Sequence, residues 1–411
     1  MKRKKGWLYG GAAAAGLLLG VAVFLFGRPG GLTGGGVSAH VLAAAEYPAA
    51  LAFDDREGYR DLVDRIGDVP EEFSQALSRF AVDSAYLALG QETEKNLCYS
   101  PLSLYMALAI AAETAGGETR EEILSCLHYD GDSLADEMHR YLTLRFKDNE
   151  ITVVKAANSL WLNERAASGE WWQYREDTLQ RLAESYQTDS YAGDFGSPKL
   201  QQDMSSWVVK QTKGLLGGDA EDFALEEDGA LSILSTLYYY DQWYSRFNKD
   251  NNIEDIFTCQ DGTQVTAEYM RTTKNPYPVL AVEGYTAASL SMKGGSRITF
   301  VLPDEGVSPA DILADETAMA RLLGLTEEPE TVRAEVRFYI PKYRFQSSLD
   351  LTETAKGLGL ASAFSPETAD FSGITGDAKL PVWLNGIRQQ TSMSIDEKGC
   401  EAAAFTQIDY A

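Results

Sequence analysis

The sequence predicts a single α+β domain, on three observations. Apolar residues recur at the helical period early in the chain, long apolar or alternating runs dominate the later part, and neither an internal repeat nor a βαβ alternation joins the two. With 411 residues, 45% apolar and 11% aromatic, the chain can bury a large core.

The elements follow in order. Phe73, Ala76, Leu77, Phe80, Ala81 and Leu87 share a helical face, so the domain opens with an amphipathic helix. Residues 96–99 read as a short strand ending at Ser100-Pro101, where serine caps and proline suits the first turn of a helix over 101–114. Gly116 and Gly117 break that helix, and Thr119 with Glu122 has the spacing of a capping box for another through Leu127. A strand is expected over 151–162, helices over 171–186 and 201–216, and a strand over 231–240. That last run is almost uncharged, as in the middle of a sheet covered on both faces. Residues 298–302 read as a buried strand, and 331–340 alternate as a half-buried one.

Ahead of this domain, Lys2, Arg3, Lys4 and Lys5 precede an uncharged apolar run over 6–27. A helix of that length rises roughly 33 Å, enough for a bilayer core, and the basic cluster would stay cytoplasmic. Residues 1–27 therefore read as a cytoplasmic Lys/Arg cluster and transmembrane anchor, the alternative being a cleaved signal segment and a secreted protein. Residues 28–70, Gly- and Ala-rich to about residue 45, read as a flexible tether and 71–411 as the working domain, outside the cytoplasm.

Several function classes are excluded. A net charge of −25 repels phosphate backbones, so nucleic acid is not a partner. Cys98, Cys126, Cys259 and Cys400 are far apart without a C-x-x-C pair, which argues against a zinc site or disulfide framework. The three histidines, His40, His128 and His139, lie in no nucleophile or metalloprotease motif, and no phosphate-binding glycine loop occurs. No enzyme, cofactor or metal is expected.

The most informative segment is Glu397-Lys-Gly-Cys-Glu-Ala-Ala-Ala-Phe-Thr406. Read at period 2, one face carries Cys400, Ala402, Ala404, Thr406 and Ile408, and the other Glu401, Ala403, Phe405, Gln407 and Asp409. A strand with the first face inward would enter an existing sheet without overpacking it, and the second face would tolerate solvent.

This segment resembles the reactive-loop hinge of the serpins, and the resemblance extends over most of 73–411. It is carried by Asn96-Leu-Cys-Tyr-Ser-Pro-Leu-Ser103, Ala157-Asn-Ser-Leu-Trp161, Tyr238-Tyr-Tyr-Asp-Gln-Trp243 and Phe247. Further matches are Ile340-Pro-Lys-Tyr-Arg-Phe345 and Ala369-Asp-Phe-Ser-Gly-Ile374. The resemblance implies a large mixed central sheet, two smaller sheets and eight or nine helices. It also implies a suicide-substrate inhibitor of serine proteases, acting as a monomer, whose reactive loop inserts into the central sheet after a target protease has attacked it.

The hinge would comprise Glu397, Gly399, Cys400, Glu401, Ala402, Ala403, Ala404, Phe405 and Thr406. Ser100, Ser103, Ser235 and Gln389 would form the polar cluster beneath the sheet opening, with Gln389 in place of a frequent histidine and Ser235 in place of a usual asparagine. Trp243 would stand where the loop first enters. Measured from the hinge, the chain is expected to stop within the reactive loop, so the C-terminal strands that follow it would be absent. The competing reading is a non-inhibitory serpin-fold binding or structural surface protein.

Overall fold

The computed structural model describes residues 39–90, 95–167, 169, 172–259, 261–326 and 331–411. The expected anchor over 1–27 lies outside them, and no described helix is long and apolar enough to cross a membrane.

Within the expected tether, His40–Ala43 forms β1 and Arg56–Ile66 forms α1. β1 pairs with a later strand, and the Arg140 Nε donates to the Ile66 carbonyl oxygen at 3.0 Å. β1 is thus tied to the domain by backbone pairing and the end of α1 by a side-chain hydrogen bond, which composition alone does not reveal. α2 (Glu71–Leu89) and α3 (Pro101–Thr114) follow. α3 begins as its Ser-Pro signal implies, with Ser100 Oγ accepting from the Ser103 backbone N–H. It is buried all round, as befits a helix running under a sheet. Residues 96–99 belong to no strand.

The next helix, α4 (Gly117–Cys126), starts three residues earlier than the Thr119/Glu122 spacing suggests, and the capping box does not form. Instead, Thr119 Oγ1 accepts from the Asp370 N–H and the Glu122 carboxylate accepts from Ser362, so tertiary partners claim both side chains. α5 (Leu134–Arg145), β2 (Lys147–Asp148), β3 (Thr152–Asn163) and α6 (Glu164–Ala167) lead to α7 (Glu176–Tyr186), which begins five residues later than expected. There the Arg175 N–H is engaged by the Ile374 carbonyl oxygen and Trp172 is buried in the core, holding the approach extended. β4 (Thr188–Gly193), α8 (Pro198–Gln211), a 3-10 turn at Ala220–Phe223 and β5 (Leu231–Gln242) complete the first half.

The second half holds β6 (Ile253–Thr258), β7 (Gln264–Val282), β8 (Tyr285–Ser291), β9 (Arg297–Pro303), α9 (Pro309–Ala314), α10 (Glu316–Leu322) and β10 (Val332–Pro341). After them come β11 (Tyr343–Asp350), α11 (Thr352–Gly357), α12 (Ser372–Thr375), β12 (Leu384–Ile395) and β13 (Gly399–Tyr410). The described residues form twelve α-helices rather than eight or nine, α6 and α12 being single turns.

The central sheet has eight strands in the order β1-β4-β3-β5-β13-β12-β11, with β2 paired to β3. The two smaller sheets expected are one five-stranded sheet, β10-β7-β8-β9 with β6 on β7, because the 19-residue β7 runs through both parts. β9 is not the buried strand its sequence suggested: Leu302 is 70% exposed at the sheet edge. In β10 only Phe338 and Ile340 are buried.

The expectation that C-terminal strands are absent is corrected. The chain's C-terminal residues form β12 and β13, both in the interior of the central sheet. The segment read as an open loop is a strand because hydrogen-bonding edges wait on both sides of it: β13 is antiparallel to β5 and to β12.

Candidate functional site

The candidate site is β13 with the two strands that flank it. A tight turn starts it: the Asp396 N–H donates to the Gly399 carbonyl oxygen, and Asp396 Oδ1 accepts from the N–H groups of Lys398 and Gly399. From there β13 pairs with β5 without interruption, Gly399 opposite Gln242 through Tyr410 opposite Leu231, and with β12 from Cys400 opposite Ile395 to Tyr410 opposite Leu384.

Glu397 lies just before the strand, pairing with Lys342 at 3.1 Å and accepting from Asn252. Partial burial opposes its charge, but these partners and a backbone N–H hold its carboxyl below the ordinary range. Trp243 closes the same end. Its N–H donates to the Lys398 carbonyl oxygen, its indole Nε1 donates to the Asp396 carbonyl oxygen at 2.8 Å, and its ring meets Phe247 edge-on. Cys400 is buried in the same cluster, and burial pushes its thiol up to about 12, so the inserted thiol stays protonated. Sequence reasoning missed Asp241. Its carboxylate accepts from the Gly294 N–H, Ser296 Oγ and Gln242 N–H, fastening the turn after β8 to the end of β5 beside Gly399.

Further along, the two faces of β13 meet different covers. Ala402 and Ala404 line a cavity of about 360 Å³ under α2 and α3, whose wall includes Leu77, Ala81 and Tyr105 but no lysine or arginine. Thr406 and Ile408 continue that face against α3 and the main core. The other face does not look into solvent as expected. Ala403 and Phe405 are buried with α8, and the Phe405 ring stacks on Phe223 of the 3-10 turn, centroids 5.5 Å apart. Glu401 lies nearer the surface, accepting from the Tyr238 hydroxyl at 2.7 Å.

The expected polar cluster is brought together, with Thr406 at its centre. Gln389 on β12 and Ser103 on α3 both reach the Thr406 hydroxyl at 2.9 Å. Ser103 Oγ also bonds the Ser235 carbonyl oxygen, whereas the Ser235 hydroxyl is buried without a partner. Ser100 acts through its backbone: its N–H donates to Gln389 Oε1 at 2.7 Å and its carbonyl accepts from Gln389 Nε2 at 3.0 Å. A glutamine amide supplies the donor and acceptor that this position requires. The cluster thus ties β13 to β12 and to α3.

A large mixed sheet holding a C-terminal strand of small residues, with a polar cluster beneath it, defines a class of protein. The chain belongs to the serpin family: residues 75–411 match the family described as "Serpin (serine protease inhibitor)". It is 26% identical over 325 residues to Serpin-ZX of Arabidopsis thaliana, covering 75% of this chain and 80% of that protein. It is 24% identical over 356 residues to Serpin B4 of Homo sapiens, covering 82% and 88%. The crystal structure of the thermophilic serpin Tengpin in the latent state matches the fold with a TM-score of 0.72 and 22% identity, over 83% of this chain and 90% of that one. Serpins are protease inhibitors rather than catalytic enzymes, and this chain is accordingly not an enzyme.

Proposed function

We propose that this protein inhibits serine-type endopeptidases as a suicide substrate, by inserting its reactive loop into the central sheet outside the cytoplasm. The observation that carries the reading is the place of Gly399–Tyr410. Because it is antiparallel to both neighbours, β5 and β12 are parallel to each other and can pair directly whenever this strand is out.

In the proposed reaction, the protease serine oxygen bonds a carbonyl carbon of the reactive loop. The peptide C–N bond breaks, the amine leaves with a proton from the enzyme's base, and an ester joins the partners. Insertion of 12 residues at about 3.3 Å each carries the protease roughly 40 Å along the sheet before water reaches the ester. Ala402, Ala403 and Ala404 suit this role, because little side chain has to be accommodated as the strand enters. The basic cluster and apolar run of 1–27 support attachment to a membrane with the inhibitory domain outside.

A second reading, a non-inhibitory binding or structural serpin-fold protein, is favoured by Phe405 and Asp409. A large ring must be buried and a carboxylate partly desolvated as the strand enters, which slows insertion relative to ester hydrolysis.

Mixing the protein with a panel of serine proteases and running a denaturing gel separates the two readings. The inhibitor gives a band at the summed mass that survives boiling in detergent. Cleavage without such a band across the panel overturns the inhibitory reading in favour of the second.

A further inference from the structure

Asp409 is the penultimate residue of β13, opposite Ser232 on β5 and Gly386 on β12, and it becomes half-buried as the strand joins the sheet. Its Oδ1 accepts from Ser232 Oγ at 2.6 Å and from Gln407 Nε2 at 2.8 Å. The nearby cation is Arg388 on β12, which does not ion-pair with it. The Arg388 Nη2 donates instead to Gln407 Oε1 at 2.7 Å and to the Asp222 carbonyl oxygen. A neutral amide therefore stands between carboxylate and guanidinium. The 3-10 turn that covers this face carries two anions, the exposed Glu221 and Asp222, whose carboxylate accepts from Gln390.

We infer that insertion of Gly399–Tyr410 takes up a proton at Asp409, so that acidification favours the inserted sheet. The coupling to insertion rests on the loop-insertion reading, whereas proton uptake by the inserted state stands without it. Two hydroxyl or amide donors on one carboxylate oxygen do not replace the hydration lost at a site without a paired cation. Partial burial accordingly pushes the Asp409 carboxyl above its ordinary value, with Ser232, Gln407 and Arg388 opposing it only in part.

The sign follows from linkage. In the exposed loop Asp409 titrates in the ordinary carboxylate range, and in the sheet it titrates higher. Its contribution to the inserted state is complete below the ordinary value and is lost as pH rises through the inserted-state value.

The test compares thermal melts of the full wild-type chain and Asp409→Asn between pH 3.5 and pH 8, all other titrating groups being common to both. Asparagine keeps an oxygen where Ser232 and Gln407 donate. The variant is expected to melt higher at pH 8 by about 2 °C or more, with the gap closing toward pH 3.5. A gap that does not change with pH, or a variant less stable at pH 8, overturns the inference. Carbon-13 NMR titration of the Asp409 carboxyl in the wild-type chain needs no variant. A midpoint above about 3.9 is expected, and a midpoint at or below it overturns the inference. Neither readout involves a protease, so a failed trapping assay and a failed proton linkage are separately visible.

Discussion

Ala404→Glu is expected to turn the inhibitor into a substrate, whereas Ala404→Leu is expected to keep it an inhibitor. Ala404 is buried opposite Leu237 and Thr391, on the wall of the cavity under α2 and α3. That cavity, about 360 Å³, has room for a longer side chain, so volume is not the obstacle. Charge is: no lysine or arginine lines the space, and an unpaired carboxylate there costs several kcal/mol. If only about 3 kcal/mol of that cost is felt as the strand enters, insertion slows by roughly 100-fold. The ester is then hydrolysed before the protease is displaced. The check is the stoichiometry of inhibition, measured as chains consumed per protease trapped. It should rise steeply for the glutamate variant and stay near the wild-type value for leucine. An unchanged glutamate variant would refute insertion as the trapping step.

A second large effect is expected for Gly399→Ala. A Cβ at this position would sit on the Asp241 carbonyl oxygen, well inside contact distance, and 2.9 Å from the Gln242 Cα. Both are backbone atoms of β5, which cannot swing aside as a flexible side chain does. Asp241 is also fixed through its carboxylate to Gly294 and Ser296, so the strand end has little freedom to yield. Alanine should therefore break the first pairs of the β13 ladder, lowering thermal stability by several degrees and lengthening the time to a stable complex. A variant that melts with the wild type and traps at the same rate would show that the β5 end moves more easily than its bonds imply.

These effects show which parts of the site were legible in sequence. The inward face of the hinge was readable because a strand alternates with period 2 and its residues are small. Ala404, Thr406 and Ile408 do lie toward α3 and the main core. The opposite face was misread, since its cover comes from α8 and the Phe223 turn, about 180 residues earlier in the chain. Nothing local distinguishes Phe405 in water from Phe405 stacked on a ring.

The polar cluster came from family resemblance, and resemblance supplied residues rather than atoms. Ser100 acts through its backbone, the Ser235 hydroxyl is unused, and Thr406 joins Gln389 to Ser103. Local signals succeeded where local chemistry decides, as in the Ser-Pro start of α3. They failed at Thr119 and Glu122, whose side chains bond a segment some 240 residues away. Asp241 lies in the matching stretch Tyr238–Trp243, but nothing there marked its role, and the Asp409 surroundings carried no sequence motif. Their roles depend on which strands are neighbours.

Amide hydrogen exchange of Gly399–Tyr410 in the protein recovered from its protease complex measures insertion itself. The amides from Cys400 to Tyr410 should exchange as slowly as those of β5, because both strands then lie inside the same ladder. Exchange of that segment at the rate of an exposed loop, while β5 and β12 remain protected, would contradict insertion as the means by which this protein holds its target.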